Sequence, residues 1–196
     1  MARLTRAAQQ ERTHEDLLRA GRKVFLRRGF LAATVEEIAA DAGYTRGAVY
    51  KHFGGKEGMW LAIVEADADT HLQGLRTALA QATGRDDLVA ILGTVTDGDA
   101  AKWTTAAAEV LAATAQQPEI AAQIAVLQAR HDDQVVALLE KHAGRLGLEP
   151  AMPLGQMVVM LGALGIGLAL RQSIAPAADP AAILAHVLKT AFPLAP

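Results

Sequence analysis

The 196-residue chain contains no cysteine. That removes disulfide staples, thiolate metal sites and thiol nucleophiles, and it fits a reducing, cytoplasmic setting. No segment alternates apolar and polar residues in the manner of a strand, so a sheet-based fold is not expected. A glycine-rich phosphate loop and a nucleophile elbow are both missing, which leaves little for a catalytic reading. No apolar segment near the N-terminus suggests a secretory signal. The longest run without charged or strongly polar side chains, residues 157–170, has 14 residues. A bilayer span needs roughly 20, so this run reads as a buried helix and no membrane partner is expected. Aromatic residues are only 4% of the chain, which makes the few in the C-terminal part conspicuous.

What is present is apolar and helical. Hydrophobic residues make up 52% of the chain, enough for a substantial core. The net charge of −2 hides an asymmetry: residues 1–60 carry 11 Lys/Arg and 7 Asp/Glu, whereas residues 61–196 carry 8 and 14. A basic head on an acidic body suits a protein that offers one end to a polyanion. The alternative is chance clustering on solvated helix faces.

The expected architecture is all-α, with about nine helices, three in the head and six in the body. Residues 1–12 read as a loose basic arm in which Arg3, Arg6 and Arg12 add nonspecific attraction or nothing. A first helix is expected over residues 13–28, with Leu17, Gly21, Val24 and Phe25 on one stripe and Gly29 as its stop. After the two short helices described next, a fourth should run from Lys56 to about residue 82. Further helices are expected over residues 86–96, 100–116, 118–146, 154–173 and 180–191, with a break at residues 97–99 and a connection at residues 147–153.

The most informative stretch is residues 34–56, TVEEIAADAGYTRGAVYKHFGGK. Thr34 is a good N-cap and Glu37 completes a capping box. Val35, Ile38, Ala39 and Ala42 share one helical face, and Gly43 can take the left-handed C′ conformation. Thr45 can cap the next helix, whose Val49 and Phe53 face inward. Arg46, Gly47, Tyr50 and Lys51 then point outward. Two helices, a glycine-bearing turn and an exposed basic face form a helix-turn-helix, and DNA is the expected partner.

These residues resemble the DNA-binding domain of the TetR family, the tetracycline-repressor-like bacterial regulators. The resemblance is carried by LLRAGRKVFLRRGF, TVEEIAADAG and TRGAVYKHFGGKEGMWLA, within residues 13–61. It implies a helix-turn-helix domain over residues 1–55 and a ligand-sensing, dimerising domain over residues 56–196. It also implies a homodimer on a palindromic operator and a repressor relieved by a small molecule. Two departures stand out. Tyr44 replaces a small aliphatic residue, implying a differently packed turn, and Gly54-Gly55 replaces a more polar linker, implying a looser hinge.

Within the head, Arg46 lies at the end of the recognition helix that such motifs push into the major groove. Its guanidinium can pair bidentately with guanine; the alternatives are a phosphate contact or a solvated arginine. Lys51 can do either job. Gly47 allows close approach to DNA or merely relieves crowding, and Ala48 touches a thymine methyl or fills the helix. By resemblance, Tyr50, His52 and Lys56 grip phosphates, although the Tyr50 ring could instead complete the core. Thr34 and Thr45 act as caps, with phosphate contact as a second role.

By the same resemblance the last two helices form the dimer surface, through Met157, Met160, Leu161, Leu164 and Leu168 and through Ile183, Leu184, Val187 and Leu188. Gly162, Gly165 and Gly167 cost helix propensity, and close helix–helix contact would explain them. The alternative is the buried centre of a monomeric bundle. Trp103, Arg130, His131, Gln134 and Met152 could line an apolar pocket for a small apolar or aromatic effector. Two rivals remain: a non-sensing DNA-binding or architectural protein controlled by a partner, and a helical metal-dependent hydrolase using Asp67, His71 and the His131-Asp132-Asp133 run. Two ligands on one helix are a weak metal signal, so neither metal nor cofactor is expected.

Overall fold

A computed structural model describes residues 5–93, 98–114, 117–174 and 179–193, with the side chains of residues 98–101 and 173–174 outside that description. Arg3 and the loop of residues 176–178 therefore lie outside the described residues. Among the described residues the chain is all-α, with helices α1 (Arg6–Ala32), α2 (Val35–Ala42), α3 (Arg46–Phe53), α4 (Lys56–Gln81), α5 (Arg85–Gly93), α6 (Gly98–Thr114), α7 (Pro118–Ala143), α8 (Leu154–Ile174) and α9 (Pro180–Ala191). Packing divides these into two compact units. One comprises residues 1–67 and 106–124, the other residues 68–105 and 125–196.

In the first unit, α1 starts well before the expected residue 13. Thr5 caps it by accepting from the Ala8 amide at 3.2 Å, so Arg6 and Arg12 are helical and not part of a loose arm. Gly29 breaks the helix with φ 75° and ψ 171°. This break turns Phe30 back into the core, where it meets Phe25 and Trp60 at ring-centroid distances of 5.6 and 5.8 Å. Leu17, Val24, Ile38, Val49 and Met59 complete the buried interior. Gly21 lets the Met59 side chain pack close to α1, since a Cβ there would lie 2.5 Å from its sulfur and the side chain would have to shift.

The second unit has its own core, built from Leu72, Leu75 and Leu79 of α4, Leu88 of α5, Leu138 and Leu139 of α7, Met157 of α8 and Leu184 and Leu188 of α9. Arg145 closes the end of α4 by donating to the carbonyls of Leu79 and Ala82 at 2.6 and 2.5 Å. Asp179 caps α9 through the amides of Ala181 and Ala182, and Pro180 sits in its first turn.

Helix α8 departs from the sequence reading in two ways. It is long and apolar enough to cross a membrane by length and composition: residues Leu154–Gln172 have a mean hydropathy of 1.6 over 19 residues. Only 22% of that stretch is buried, so it is no buried helix either. The shorter estimate arose because Gln156 and Arg171 bounded the apolar run without ending the helix.

The expected dimer stripe also needs correction. Met157, Leu168, Leu184 and Leu188 are buried within the chain, and Met160, Leu161 and Leu164 pack partly against the same core. Val187 is half-buried. The large apolar side chains left outside on these helices are Val159, Ile166 and Ile183, exposed by 59%, 51% and 39%. A Cβ at Gly155, Gly162 or Gly167 would meet nothing within 4 Å, so close contact inside the chain does not account for them. Periodicity points to the most apolar stripe, and the core claims that stripe first.

Candidate nucleic-acid interface

Four ion pairs pin α2 to α1: Lys23–Asp41 at 3.0 Å, Arg27–Glu37 at 2.9 Å, Arg27–Asp41 at 3.6 Å and Arg28–Glu37 at 3.7 Å. Much of the basic charge counted in the head is thus paired within it. Thr34 caps α2 as expected, its hydroxyl accepting from the Glu37 amide at 3.1 Å, while the Glu37 carboxylate turns to Arg27 and Arg28.

Gly43 ends α2 in the left-handed conformation, φ 75° and ψ 24°, and its amide reaches the carbonyls of Ala39 and Ala40. The Tyr44 hydroxyl ties the turn to α1 by donating to Asp16 at 3.2 Å. Thr45 occupies the N-cap position of α3 with an extended backbone, but its side chain makes no cap hydrogen bond. The capping role assigned to its hydroxyl is therefore corrected; only its carbonyl serves, accepting from Ala48 at 2.9 Å.

Helix α3 buries Val49 completely and leaves Arg46, Gly47, Tyr50 and Lys51 exposed, with Ala48 half-buried. The expected outward face is present. Tyr50 is 45% exposed, so its ring does not belong to the core. Arg46 lies with its guanidinium carbon 5.2 Å over that ring and donates to the Tyr50 hydroxyl at 3.3 Å. It also pairs with Glu36 of α2 at 2.9 Å. Sequence reasoning missed Glu36, because a first-turn acid reads simply as a favourable partner of the helix dipole. Gly47 has open space around it, the nearest atom to a Cβ being the Thr45 hydroxyl at 3.7 Å.

Phe53 and His52 are both half-buried, and the His14 ring lies tilted at 4.7 Å from Phe53 and 5.8 Å from His52. Burial, then the neighbouring His14 and Lys51, hold the His52 ring below the usual histidine range. A neutral His52 can still donate one hydrogen bond.

Lys56 differs from expectation. Its ammonium donates to the carbonyls of Phe30 at 2.9 Å and Ala33 at 3.1 Å, with Leu31 at 3.5 Å, and sits 4.5 Å over the Phe30 ring. These acceptors use its donors inside the head, so the phosphate-gripping role is replaced by one that fastens the end of α1. On the other side of the same segment, Glu109 of α6 accepts from the Leu31 amide at 3.0 Å. Its carboxylate fills the space where a Cβ on Gly29 would stand, 2.6 Å away.

The turn between α3 and α4 is built on glycines. Gly54 and Gly55 hold φ values of 75° and 145°, and a Cβ on Gly58 would lie 1.9 Å from the Phe53 carbonyl oxygen. Glycine is thus needed to bring the recognition helix against the start of α4.

The residues expected to meet an effector differ in their surroundings. Met152 packs against the apolar core, Arg130 and Gln134 are exposed, and Trp103 is half-buried. His131 is joined to His71 by a ring hydrogen bond of 3.1 Å, the rings stacked 5.3 Å apart. Asp67 instead pairs with Arg22. Among the described residues no group of three or more His, Cys, Asp or Glu is placed to hold a metal ion.

Residues 17–63 match the family model of bacterial regulatory proteins of the tetR family. Over 143 residues the chain is 25% identical to the HTH-type transcriptional repressor AcnR of Corynebacterium efficiens, covering 72% of each protein. A solved TetR-family transcriptional regulator from Rhodococcus sp. superposes with a TM-score of 0.75 at 18% identity, covering 92% of this chain and 98% of that one. A transcriptional regulator from Saccharomonospora viridis, solved in complex with choline, superposes with a TM-score of 0.70 at 13% identity, covering 92% and 95%.

Proposed function

We propose that the chain, whose residues 17–63 match the family model of bacterial regulatory proteins of the tetR family, is a ligand-relieved repressor that binds a palindromic operator as a homodimer. The observation that carries this reading is the α3 face. Arg46, Gly47, Tyr50 and Lys51 stand outward on a helix fixed by a buried Val49 and a glycine turn. An arginine at the first position of such a helix can reach guanine O6 and N7, and Tyr50 and Lys51 can take flanking phosphates. The name of the Corynebacterium efficiens relative, a transcriptional repressor, supports repression as the default action.

One short recognition helix binds weakly, and two placed about 34–36 Å apart read successive turns of one DNA face. The uncovered apolar face of α8, with Val159 and Ile166 beside open glycines, supports a second copy as its cover. On this reading residues 1–55 read DNA, and residues 56–196 sense and dimerise. The choline bound to the Saccharomonospora viridis neighbour supports a small-molecule effector for this fold. An effector that prefers a dimer with its heads wrongly spaced shifts the population off DNA.

The test is selection of duplexes from a random library by the purified protein, with its mass measured by light scattering. Enrichment of an inverted repeat by a dimer is expected. Enrichment of no sequence, or of an unrepeated site by a monomer, contradicts the proposal.

A further inference from the structure

The pairing of Arg46 with Glu36 has a consequence for specificity. Three acidic side chains line α2, and they divide by partner. Glu37 and Asp41 pair with Lys23, Arg27 and Arg28 of α1, contacts that build the head. Glu36 alone of the three reaches the recognition helix, and it does so through the residue best placed to read a base. Both side chains of this pair are exposed, Glu36 by 60% and Arg46 by 61%, so neither is needed to fill or satisfy the core.

We propose that Glu36 is a specificity-determining residue that holds Arg46 away from DNA unless a base edge replaces its carboxylate. This inference rests on the DNA-reading function above and names a residue for it. Off DNA, Arg46 is fixed by three contacts: the Glu36 carboxylate at 2.9 Å, the Tyr50 hydroxyl at 3.3 Å and the Tyr50 ring. Against a phosphate backbone an uncompensated carboxylate is repelled, and expulsion of water strengthens that repulsion. Arg46 therefore has two states. Bound to Glu36, it neutralises the carboxylate and contributes nothing to DNA affinity. Released, it leaves Glu36 beside the polyanion, a cost offset only where guanine supplies two acceptors in the guanidinium plane.

On unrelated sequences the pair persists and affinity stays low, because nonspecific binding depends on counting phosphate-neutralising cations. The operator complex bears the whole cost of opening the pair and random DNA does not, so Glu36 holds operator affinity down and narrows the gap between operator and random DNA.

The experiment measures affinity of the full chain for a duplex enriched from a random library by the wild type and for a random-sequence duplex, at one salt concentration. Four proteins are compared: wild type, Glu36→Gln, Arg46→Ala and the double variant. Glu36→Gln keeps the size of an exposed side chain, so the head stays folded. It is expected to raise affinity for the enriched duplex by about 5–10-fold and for random DNA by about 2-fold or less, widening their ratio. In the Arg46→Ala background the widening should vanish, which a merely structural role for Glu36 would not produce. Equal changes on both duplexes, or loss confined to the enriched duplex, would overturn the proposal. A wild type that binds both duplexes alike would instead contradict the DNA-reading function itself.

Discussion

The ammonium of Lys56 lies 2.9 Å from the carbonyl oxygen of Phe30 and 4.5 Å above that residue's ring. One side chain from the start of α4 thus satisfies the last carbonyls of α1 and covers the aromatic cluster beside them. Charged hydrogen bonds of this kind contribute about 1.5–3 kcal/mol, and their loss leaves part-buried carbonyls unmet. Lys56→Ala should therefore destabilise the protein by about 2 kcal/mol in urea unfolding and leave the salt dependence of DNA binding nearly unchanged. A flattened salt slope with intact stability would restore the phosphate role that the sequence suggested.

Arg46→Ala should weaken binding to the operator by about 1–3 kcal/mol and relax preference at one base pair in each half-site. Competition binding against a set of single-base variants measures both. Equal loss on every sequence would make Arg46 a phosphate contact.

Two glycines of the head should behave in opposite ways. Alanine at position 58 drives a methyl into the Phe53 carbonyl, where the Cβ would stand at 1.9 Å. Gly58→Ala should cost about 1–3 kcal/mol of stability or displace α3. Alanine at position 47 meets nothing nearer than 3.7 Å. Gly47→Ala should fold normally and lose DNA affinity if close approach is its use. Thermal unfolding and anisotropy on the same two variants separate these outcomes.

Stability should fall with acidity in the histidine range. Burial, then the neighbouring His131, hold His71 below the usual histidine range, and His52 is lowered by burial, His14 and Lys51. The unfolded chain therefore takes up these protons first as the pH drops. The corresponding stability is complete above the unfolded value of about 6.5 and is lost as the pH falls toward the lower folded values. Urea unfolding at about pH 7.5 and about pH 5.5 should show the loss, and His71→Gln should make it shallower. A wild-type stability that is flat or rising across this interval would contradict the assignment.

Charging the open face of α8 should separate the protomers. Ile166→Asp replaces a side chain that is 51% exposed and outside the core. It should leave the helical fold intact and yield a monomer by light scattering, with operator affinity falling steeply because one head alone remains. A persistent dimer would move the interface elsewhere.

Much of the head was legible because its signals are local. Thr34 and Gly43 bound α2 through hydrogen bonds to residues within four positions, and the Arg46–Phe53 helix shows its inward and outward faces in eight residues. The start of α9 at Pro180 was legible in the same manner, whereas its cap by Asp179 was not read. What stayed hidden depends on separation in sequence. Lys56 and Phe30 meet across 26 positions, Glu109 and Leu31 across 78, and no spacing rule connects them. Glu36 was concealed by a plausible local role, and Arg46 looked free because its partner lies on another helix. In the body the apolar pattern marked real stripes on α8 and α9 but could not tell which the core would claim. α8 is apolar nearly all round, and that choice belongs to packing.

The most direct measurement is fluorescence anisotropy of the purified protein on DNA from upstream of its own gene and its neighbours, with scrambled duplexes as controls, at two salt concentrations. Tight, sequence-selective binding that weakens with salt is expected of a dimeric reader whose α3 face meets the major groove. Equal, weak binding to native and scrambled DNA in every region tried would contradict it.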